Sequence, residues 1–168
     1  MEHKALYHIN LPIDESLLIE ESQSYDDYEP YYDTKNERYL DDWLQKHVDV
    51  GHAYDIAEMY KKRLDISDIR PRYYVQKNTF TLPWHKDRGT ECSFNFVLGG
   101  SAPISFRDGD YHYKYAILNT QEEHAVFHDG QDEDRVLLKL SVFGCSFEET
   151  VKRYEHSLQY AHELSKIH

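Results

Sequence analysis

A chain of 168 residues is long enough for one domain with a hydrophobic core and short for two, so we expect a single domain over residues 1–168. The formal net charge of −12 disfavours a nucleic-acid partner, because nucleic-acid binding depends on clustered Lys and Arg. The sequence shows no apolar run of roughly 20 residues, no signal peptide and two cysteines, which favours a cytoplasmic protein without a membrane partner.

The first 68 residues are predicted to contain one strand, a surface segment and two helices. Residues 6–10 favour a strand, and the acidic, Tyr-rich residues 20–33 favour a surface loop or a short helix. From residue 36 to 68, apolar side chains recur three or four positions apart, as in helices that cover a core. Gly51 is expected to divide this stretch into two helices.

Residues 73–143 carry short apolar and aromatic runs separated by turn residues, the pattern of an antiparallel β fold. The predicted strands cover residues 73–75, 94–98, 104–106, 111–118, 125–127 and 136–143. Asp108-Gly109 predicts a tight hairpin and Asp129-Gly130 a second turn. This many short strands in about 70 residues indicates a sandwich, barrel or jelly roll.

The segment 147–164 is predicted to form a C-terminal helix on the outside of the β core, because its apolar residues recur every three or four positions. Ser146 and Glu149 have the spacing of a capping box at its start.

The run Trp84-His85-Lys86-Asp87 contains a candidate metal site. Side chains at i and i+2 of a strand point to the same face, so His85 and Asp87 can converge on one ion. One imidazole and one carboxylate are two ligands of a 2-His-1-carboxylate triad, which holds iron(II) and leaves positions open for a cosubstrate and O₂. The third ligand is then a distant histidine. Strand alternation leaves both His124 and His128 as candidates.

Arg135 follows His124 by eleven residues and begins an apolar run. If the two segments form a hairpin, Arg135 lies ~10–13 Å from the level of His124, at about 3.3 Å per residue. Its guanidinium can then bind the far carboxylate of a dicarboxylate held by the metal. The alternative role of Arg135 is a surface cation that pairs with the acidic residues 132–134.

Residues 70–145 resemble the 2-oxoglutarate/Fe(II) dioxygenase superfamily, in its aspartyl/asparaginyl β-hydroxylase-like or prolyl-hydroxylase-like branches. The matching pieces are residues 82–87, residues 91–98, and His124-Ala125-Val126 leading to Arg135. The resemblance implies a mainly β fold with flanking helices, built on a double-stranded β-helix (a cupin-like jelly roll). It also implies that His85, Asp87 and His124 bind Fe(II).

In the same resemblance, Arg135 and Asn95 contact the cosubstrate 2-oxoglutarate, and His124 is preferred to His128 as third ligand. Many members carry Ser or Thr where this chain has Leu137, so a hydroxyl of Tyr73 or Tyr74 is expected to complete the pocket.

The implied activity is a dioxygenase that uses Fe(II), 2-oxoglutarate and O₂ to hydroxylate a small molecule or a peptide, with an amino acid or its side chain as the suggested substrate. One alternative is a cupin-like metal-binding protein with a non-oxidative or sensing role, which does not require Arg135. Another is a jelly-roll binding module without metal, in which His85 and Asp87 hydrogen-bond a ligand. Cys92 is expected to be an apolar filler, because the sequence places no cation beside it.

Overall fold

Two antiparallel β-sheets and three α-helices form the part of the chain described by the structure, a computed structural model that covers residues 3–127 and 133–167. The larger sheet holds, from edge to edge, β1 (Leu6–His8), β9 (Tyr115–Leu118), β6 (Cys92–Gly99), β11 (Arg135–Phe143), β4 (Asp68–Gln76), β3 (Arg38–His47) and β2 (Glu29–Asp33). The smaller sheet holds β5 (Leu82–His85), β10 (His124–Val126), β7 (Ile104–Phe106) and β8 (Gly109–Tyr111). The expected mainly β fold with flanking helices is therefore confirmed.

The chain crosses repeatedly between the two sheets from β4 to β11. Strands β4, β6, β9 and β11 lie in the larger sheet, while β5, β7, β8 and β10 lie in the smaller one. Neighbours in sequence are therefore mostly not neighbours in a sheet, and residues far apart in the chain face each other across the gap.

The three helices are α1 (Glu15–Ser22), α2 (His52–Leu64) and α3 (Phe147–Ile167). They share one hydrophobic core with one face of the larger sheet. Strand β6 illustrates the division, since side chains alternate between the faces of a strand. Phe94 and Phe96 pack in the core with the helices, while Ser93 and Asn95 line a cleft on the other face.

Strand β11 shows the same alternation with a more polar cleft face. Leu138, Leu140 and Val142 join the helix-side core. The opposite face carries Arg135, Leu137, Lys139, Ser141 and Phe143, all of which line the cleft.

Helix α2 begins without a capping side chain of its own. Its N-cap is Gly51, with φ +105°, and the Glu21 carboxylate of α1 accepts hydrogen bonds from the backbone nitrogens of His52 and Ala53 at 2.7 and 3.0 Å. A carboxylate at a helix N-terminus satisfies free N–H groups and interacts favourably with the helix dipole. A Cβ at position 51 would lie 2.4 Å from Glu21 Oε2, so glycine leaves room for this contact.

The structure corrects two predictions for the N-terminal part. Residues 38–47 form the strand β3 instead of a helix. This strand lies between β2 and β4, and its hydrogen bonds to both outweigh the helical spacing of Leu40, Trp43 and Leu44. The acidic segment 20–33 is neither a loop nor a single short helix. It contains the end of α1, a 3₁₀ turn (Tyr25–Asp27) and strand β2, and Tyr31 and Asp33 line the cleft.

Most β predictions are confirmed, with one division. The predicted strand 111–118 is split, because the chain leaves the smaller sheet after Tyr111 and enters the larger one at Tyr115. The hairpin near Asp108-Gly109 is present, and Phe106 pairs with Gly109 across a turn at Arg107 and Asp108.

The C-terminal helix is confirmed, with half of its predicted capping box. The Glu149 backbone nitrogen donates to Ser146 Oγ at 3.2 Å, while the Glu149 carboxylate pairs with Arg153 at 3.0 Å. Among the described helices, α3 included, none has the combined length and apolar character needed to cross a membrane.

Candidate metal centre and cosubstrate pocket

His85 and His124 face each other on adjacent strands of the smaller sheet. They are register partners in β5 and β10, and their ring centroids lie 4.3 Å apart. His124 is buried, because β10 is flanked by β5 on one side and β7 on the other.

Asp87 lies two residues beyond the end of β5, and its carboxylate joins the two imidazoles. Its Oδ1 lies 3.2 Å from His85 Nε2 and 3.4 Å from His124 Nε2. Its backbone nitrogen donates to the Thr120 carbonyl at 3.0 Å, and Gln121 Nε2 donates to its carbonyl at 3.0 Å. The loop before β10 therefore holds Asp87 beside His124.

Both imidazoles are oriented by backbone carbonyls. His85 Nδ1 lies 2.7 Å from the Pro83 carbonyl, and His124 Nδ1 lies 2.7 Å from the Glu122 carbonyl. A carbonyl oxygen accepts only, so in each neutral ring Nδ1 carries the proton and Nε2 presents its lone pair. Metal-binding histidines are commonly fixed in this way.

Lys139 of β11 reaches from the larger sheet to Asp87, and its ammonium forms an ion pair with Oδ2. Burial by itself would raise the pKa of Asp87. The charge of the Lys139 ammonium outweighs burial and holds that pKa well below its usual range. The carboxylate is therefore ionised, with Oδ1 toward the imidazoles and Oδ2 toward the ammonium.

His85, Asp87 and His124 fit a divalent metal ion. One ligand atom from each lies within 4.8 Å of the others, and no other such group of three is found in residues 3–127 and 133–167. Two imidazoles and one carboxylate on one side of an ion are the donor set of non-haem iron(II) sites, and they leave the other side open. His128 and the Asp129-Gly130 turn lie outside the described residues.

A cleft of about 700 Å³ lies between the two sheets, and the three residues line it together with Arg135 and Asn95. The position of Arg135 corrects the expected hairpin: β11 pairs with β4 and β6, while β10 pairs with β5 and β7. Arg135 therefore faces the histidines from the opposite sheet, because the chain changes sheets between the two strands.

Arg135 is 2% exposed, which excludes the alternative of a surface cation. Its Nη2 donates to the Tyr113 hydroxyl at 3.0 Å, and its Nη1 lies 3.4 Å from Gln76 Oε1. Its Nε is buried and has no hydrogen-bond partner in the part of the chain that is described. A buried guanidinium without a carboxylate is costly, so this donor set suits an anionic ligand.

Asn95 lies beside Arg135 through a shared hydroxyl. Asn95 Nδ2 donates to the Tyr113 oxygen at 3.1 Å, and Asn95 Oδ1 accepts from Ser93 at 2.8 Å. The Tyr113 hydroxyl thus links the guanidinium of Arg135 to the amide of Asn95, and it is a polar contact that the sequence did not predict.

The expected hydroxyl of Tyr73 lies elsewhere. Tyr73 is on the helix side of β4, and its hydroxyl donates to Glu21 Oε1 at 2.7 Å. Tyr74 does line the cleft, stacked on Trp43 with ring centroids 4.9 Å apart. The tyrosine hydroxyl that contacts Arg135 is that of Tyr113, because the link between β8 and β9 passes beside the guanidinium.

Cys92 is a buried thiol on the helix side of β6. Burial raises its pKa to about 12, so it remains protonated at neutral pH. It has the character of the apolar filler that the sequence predicts.

No family model matches the chain, and no curated protein matches it. Among solved structures, it is similar to a prolyl-4-hydroxylase from Pseudomonas putida, with 15% identity, a TM-score of 0.63, and coverage of 83% of this chain and 92% of the hydroxylase. A protein from Photorhabdus luminescens matches with 13% identity and a TM-score of 0.46, over 89% of this chain and 98% of that one. AviO1 from Streptomyces viridochromogenes matches with 14% identity and a TM-score of 0.44, over 78% and 80%. At these identities, the likeness to the hydroxylase is one of fold.

Proposed function

We propose that this protein is an Fe(II)- and 2-oxoglutarate-dependent dioxygenase that hydroxylates a small molecule or a peptide side chain. The observation that carries the proposal is the pairing, in one cleft, of the His85, Asp87 and His124 cluster with a buried arginine whose Nε has no partner among the described residues. A cluster alone suits any divalent metal. The added arginine suits a dicarboxylate cosubstrate.

The order of the strands supports the proposal. Eight consecutive strands, β4 to β11, contribute four to each sheet, the arrangement expected of a double-stranded β-helix. We assign that fold to the core, on the basis of this topology and of the likeness to a prolyl-4-hydroxylase.

The polar groups around the two imidazoles and around Arg135 have distinct roles in this proposal. His85, Asp87 and His124 would hold Fe(II), and Arg135 with Asn95 and Tyr113 would hold the far carboxylate of 2-oxoglutarate. The bound iron, with 2-oxoglutarate and O₂, would supply the oxidation, in which 2-oxoglutarate is converted to succinate and CO₂ while a C–H bond of the substrate is hydroxylated.

Lys139 is a positioning residue in this account. Its ammonium binds Oδ2 of Asp87 and leaves Oδ1 facing the two imidazoles. The lysine thus fixes which carboxylate oxygen is available to the metal. A cytoplasmic location and the absence of a nucleic-acid partner belong to the same proposal.

The experiment compares Arg135→Ala with Arg63→Ala, an exposed arginine of α2. Calorimetric titrations with Mn(II), and then with 2-oxoglutarate on the Mn(II)-loaded protein, measure both affinities. Loss of a buried charged contact predicts that Arg135→Ala weakens 2-oxoglutarate by about 10- to 100-fold, and Mn(II) by less than about threefold. The Arg63→Ala control is expected to retain both affinities.

The cupin-like alternative, a metal-binding protein with a non-oxidative or sensing role, predicts a different outcome. In that case Mn(II) binds, but 2-oxoglutarate does not bind, or binds equally well to the Arg135→Ala variant. Either result would contradict the dioxygenase.

A further inference from the structure

The cleft is strongly basic in a chain that is acidic. Eight of the 19 Lys and Arg residues line it, whereas two of the 31 Asp and Glu residues do so among the described residues, namely Asp33 and Asp87. Positive charge is therefore concentrated around the site where the substrate of the proposed dioxygenase would enter.

Several of these cations already have an anionic neighbour. Arg70 makes two hydrogen bonds of 2.9 Å to Asp68, and Arg38 is the register partner of Asp33 on β2. Lys139 is paired with Asp87. Arg72 and Arg88 also line the cleft, and neither forms a salt bridge within the described ranges.

Arg72 is partly withdrawn from water, so its charge is less screened than that of an exposed arginine. It is half-buried on β4, directly opposite Lys139 of β11 in the register. Facing residues of adjacent strands have Cα atoms roughly 4.5–5.5 Å apart. Arg72 is therefore one position away from the lysine that holds Asp87. Arg88 follows Asp87 in sequence and is exposed at the mouth of the cleft.

The cosubstrate does not account for Arg72. Arg135 pairs with Gln76, and Lys139 pairs with Arg72, so Arg72 lies four residues along the ladder from the level of Arg135. At about 3.3 Å per residue, this offset is roughly 13 Å. The carboxylate bound by Arg135 therefore lies at a different level of the cleft from Arg72, which forms no salt bridge among the described residues and can face a second anion.

On the basis of the proposed function, we infer that the substrate is a small molecule with a carboxylate or phosphate group, which Arg72 and Arg88 bind at the mouth of the cleft. Tyr31 and Trp43 also line the cleft, with ring centroids 6.5 Å apart, and they offer an aromatic wall that runs from the mouth toward the level of Arg135.

The charge outside the cleft favours a small ligand over a nucleic acid. Beyond the cleft-lining residues, the sequence holds the remaining 11 Lys and Arg and 29 Asp and Glu. A polyanion that extends past the cleft would meet this acidic surface and be repelled. A compact anion would lie within the basic region alone.

The test uses the trianionic dye pyranine as a probe, followed by fluorescence anisotropy at about 0.1 M salt, where the Debye length is about 10 Å. The full chain is titrated with and without Zn(II) and 2-oxoglutarate. The double variant Arg72→Gln/Arg88→Gln is compared with Lys62→Gln/Arg63→Gln, which removes the same charge from exposed positions of α2.

The cleft variant is expected to weaken dye binding by about tenfold, and the helix variant by less than about twofold, because charges beyond a Debye length are screened. Arg72→Lys/Arg88→Lys is expected to restore most of the affinity, which separates charge from folding. Equal weakening in both glutamine variants, or none in either, would overturn the inference.

Competition identifies the anion. Displacement of the dye by glycerol 3-phosphate or by N-acetylaspartate, and not by glycerol, supports a phosphate or a carboxylate substrate respectively. Stronger displacement by an eight-residue thymidine oligonucleotide than by either small anion would overturn the small-molecule inference. If the unmodified protein does not bind the dye but does bind 2-oxoglutarate through Arg135, this inference fails and the dioxygenase proposal stands. Retained dye binding without 2-oxoglutarate binding counts against the dioxygenase.

Discussion

The Asp87 carboxylate links the two sheets at the scale of single residues. One oxygen faces His85 and His124 of the smaller sheet, and the other faces Lys139 of the larger one. The side chains of Asp87 and Lys139 are 11% and 18% exposed, so the ion pair is largely withdrawn from water. Such a pair is costly to break from one side, because the partner left behind remains charged and buried.

This arrangement predicts coupling between the two residues in metal-free protein. Lys139→Met and Asp87→Asn are each expected to lower the free energy of unfolding by about 2–3 kcal/mol. The destabilisation of the double variant is expected to be smaller than the sum of the two single destabilisations by about 1–2 kcal/mol. The reason is that the second change removes the buried charge that the first change left without a partner. Urea denaturation in the presence of a chelator measures all four proteins. Additivity within about 0.5 kcal/mol would show that the pair is not coupled.

The sequence predicts the residues that depend on local geometry. His85 and Asp87 are two apart beside a strand, and their convergence follows from that spacing. His124 and Arg135 were assigned through a family resemblance, and the structure brings both to the same cleft. Their roles as ligands remain predictions.

Other contacts could not be predicted from the sequence, because they depend on how the sheets meet. Tyr113 reaches Arg135 from the link between β8 and β9. The sequence predicts one continuous strand over residues 111–118 and therefore does not reveal this link. Lys139 could have been predicted to face the site, because it lies four residues after Arg135 in a mostly apolar strand and therefore points to the same face.

At the scale of elements, alternation along β6 and β11 separates the helix-side core from the cleft. Phe94 and Leu138 face the helices, whereas Asn95 and Lys139 face the site. The helix predicted for residues 38–47, which form β3, was wrong because the spacing of its apolar residues is ambiguous. Its three apolar residues fit either a helix or a strand, and pairing with β4 decides between the two.

The contact between α1 and the start of α2 can be tested by its effect on the free energy of unfolding. Glu21 serves as the missing cap of α2 and also accepts a hydrogen bond from Tyr73 of β4. Glu21→Ala is expected to lower the free energy of unfolding by about 2 kcal/mol, because two helix N–H groups and a buried hydroxyl lose their acceptor.

Glu20→Ala, one position earlier and exposed, is the matched control and is expected to change stability by less than about 0.5 kcal/mol. Urea denaturation monitored by circular dichroism measures both variants. Equal effects of the two changes would show that Glu21 does not cap α2.

At the scale of the whole molecule, the fold places two kinds of site on one cleft. The smaller sheet supplies the imidazoles, and the larger sheet supplies Arg135 and Lys139. The helices cover the far face of the larger sheet, so the cleft side stays open to ligands. We propose that this cleft binds iron(II) and 2-oxoglutarate together.

The most direct test is an anaerobic titration of metal-free protein with Fe(II) and then 2-oxoglutarate, recorded by visible absorption. The expected result is a weak charge-transfer band that grows with 2-oxoglutarate and saturates at about one equivalent per chain. The band is expected to be lost in His124→Ala and to require much more 2-oxoglutarate in Arg135→Ala. Absence of the band from the unmodified protein at saturating Fe(II) and 2-oxoglutarate would contradict the account.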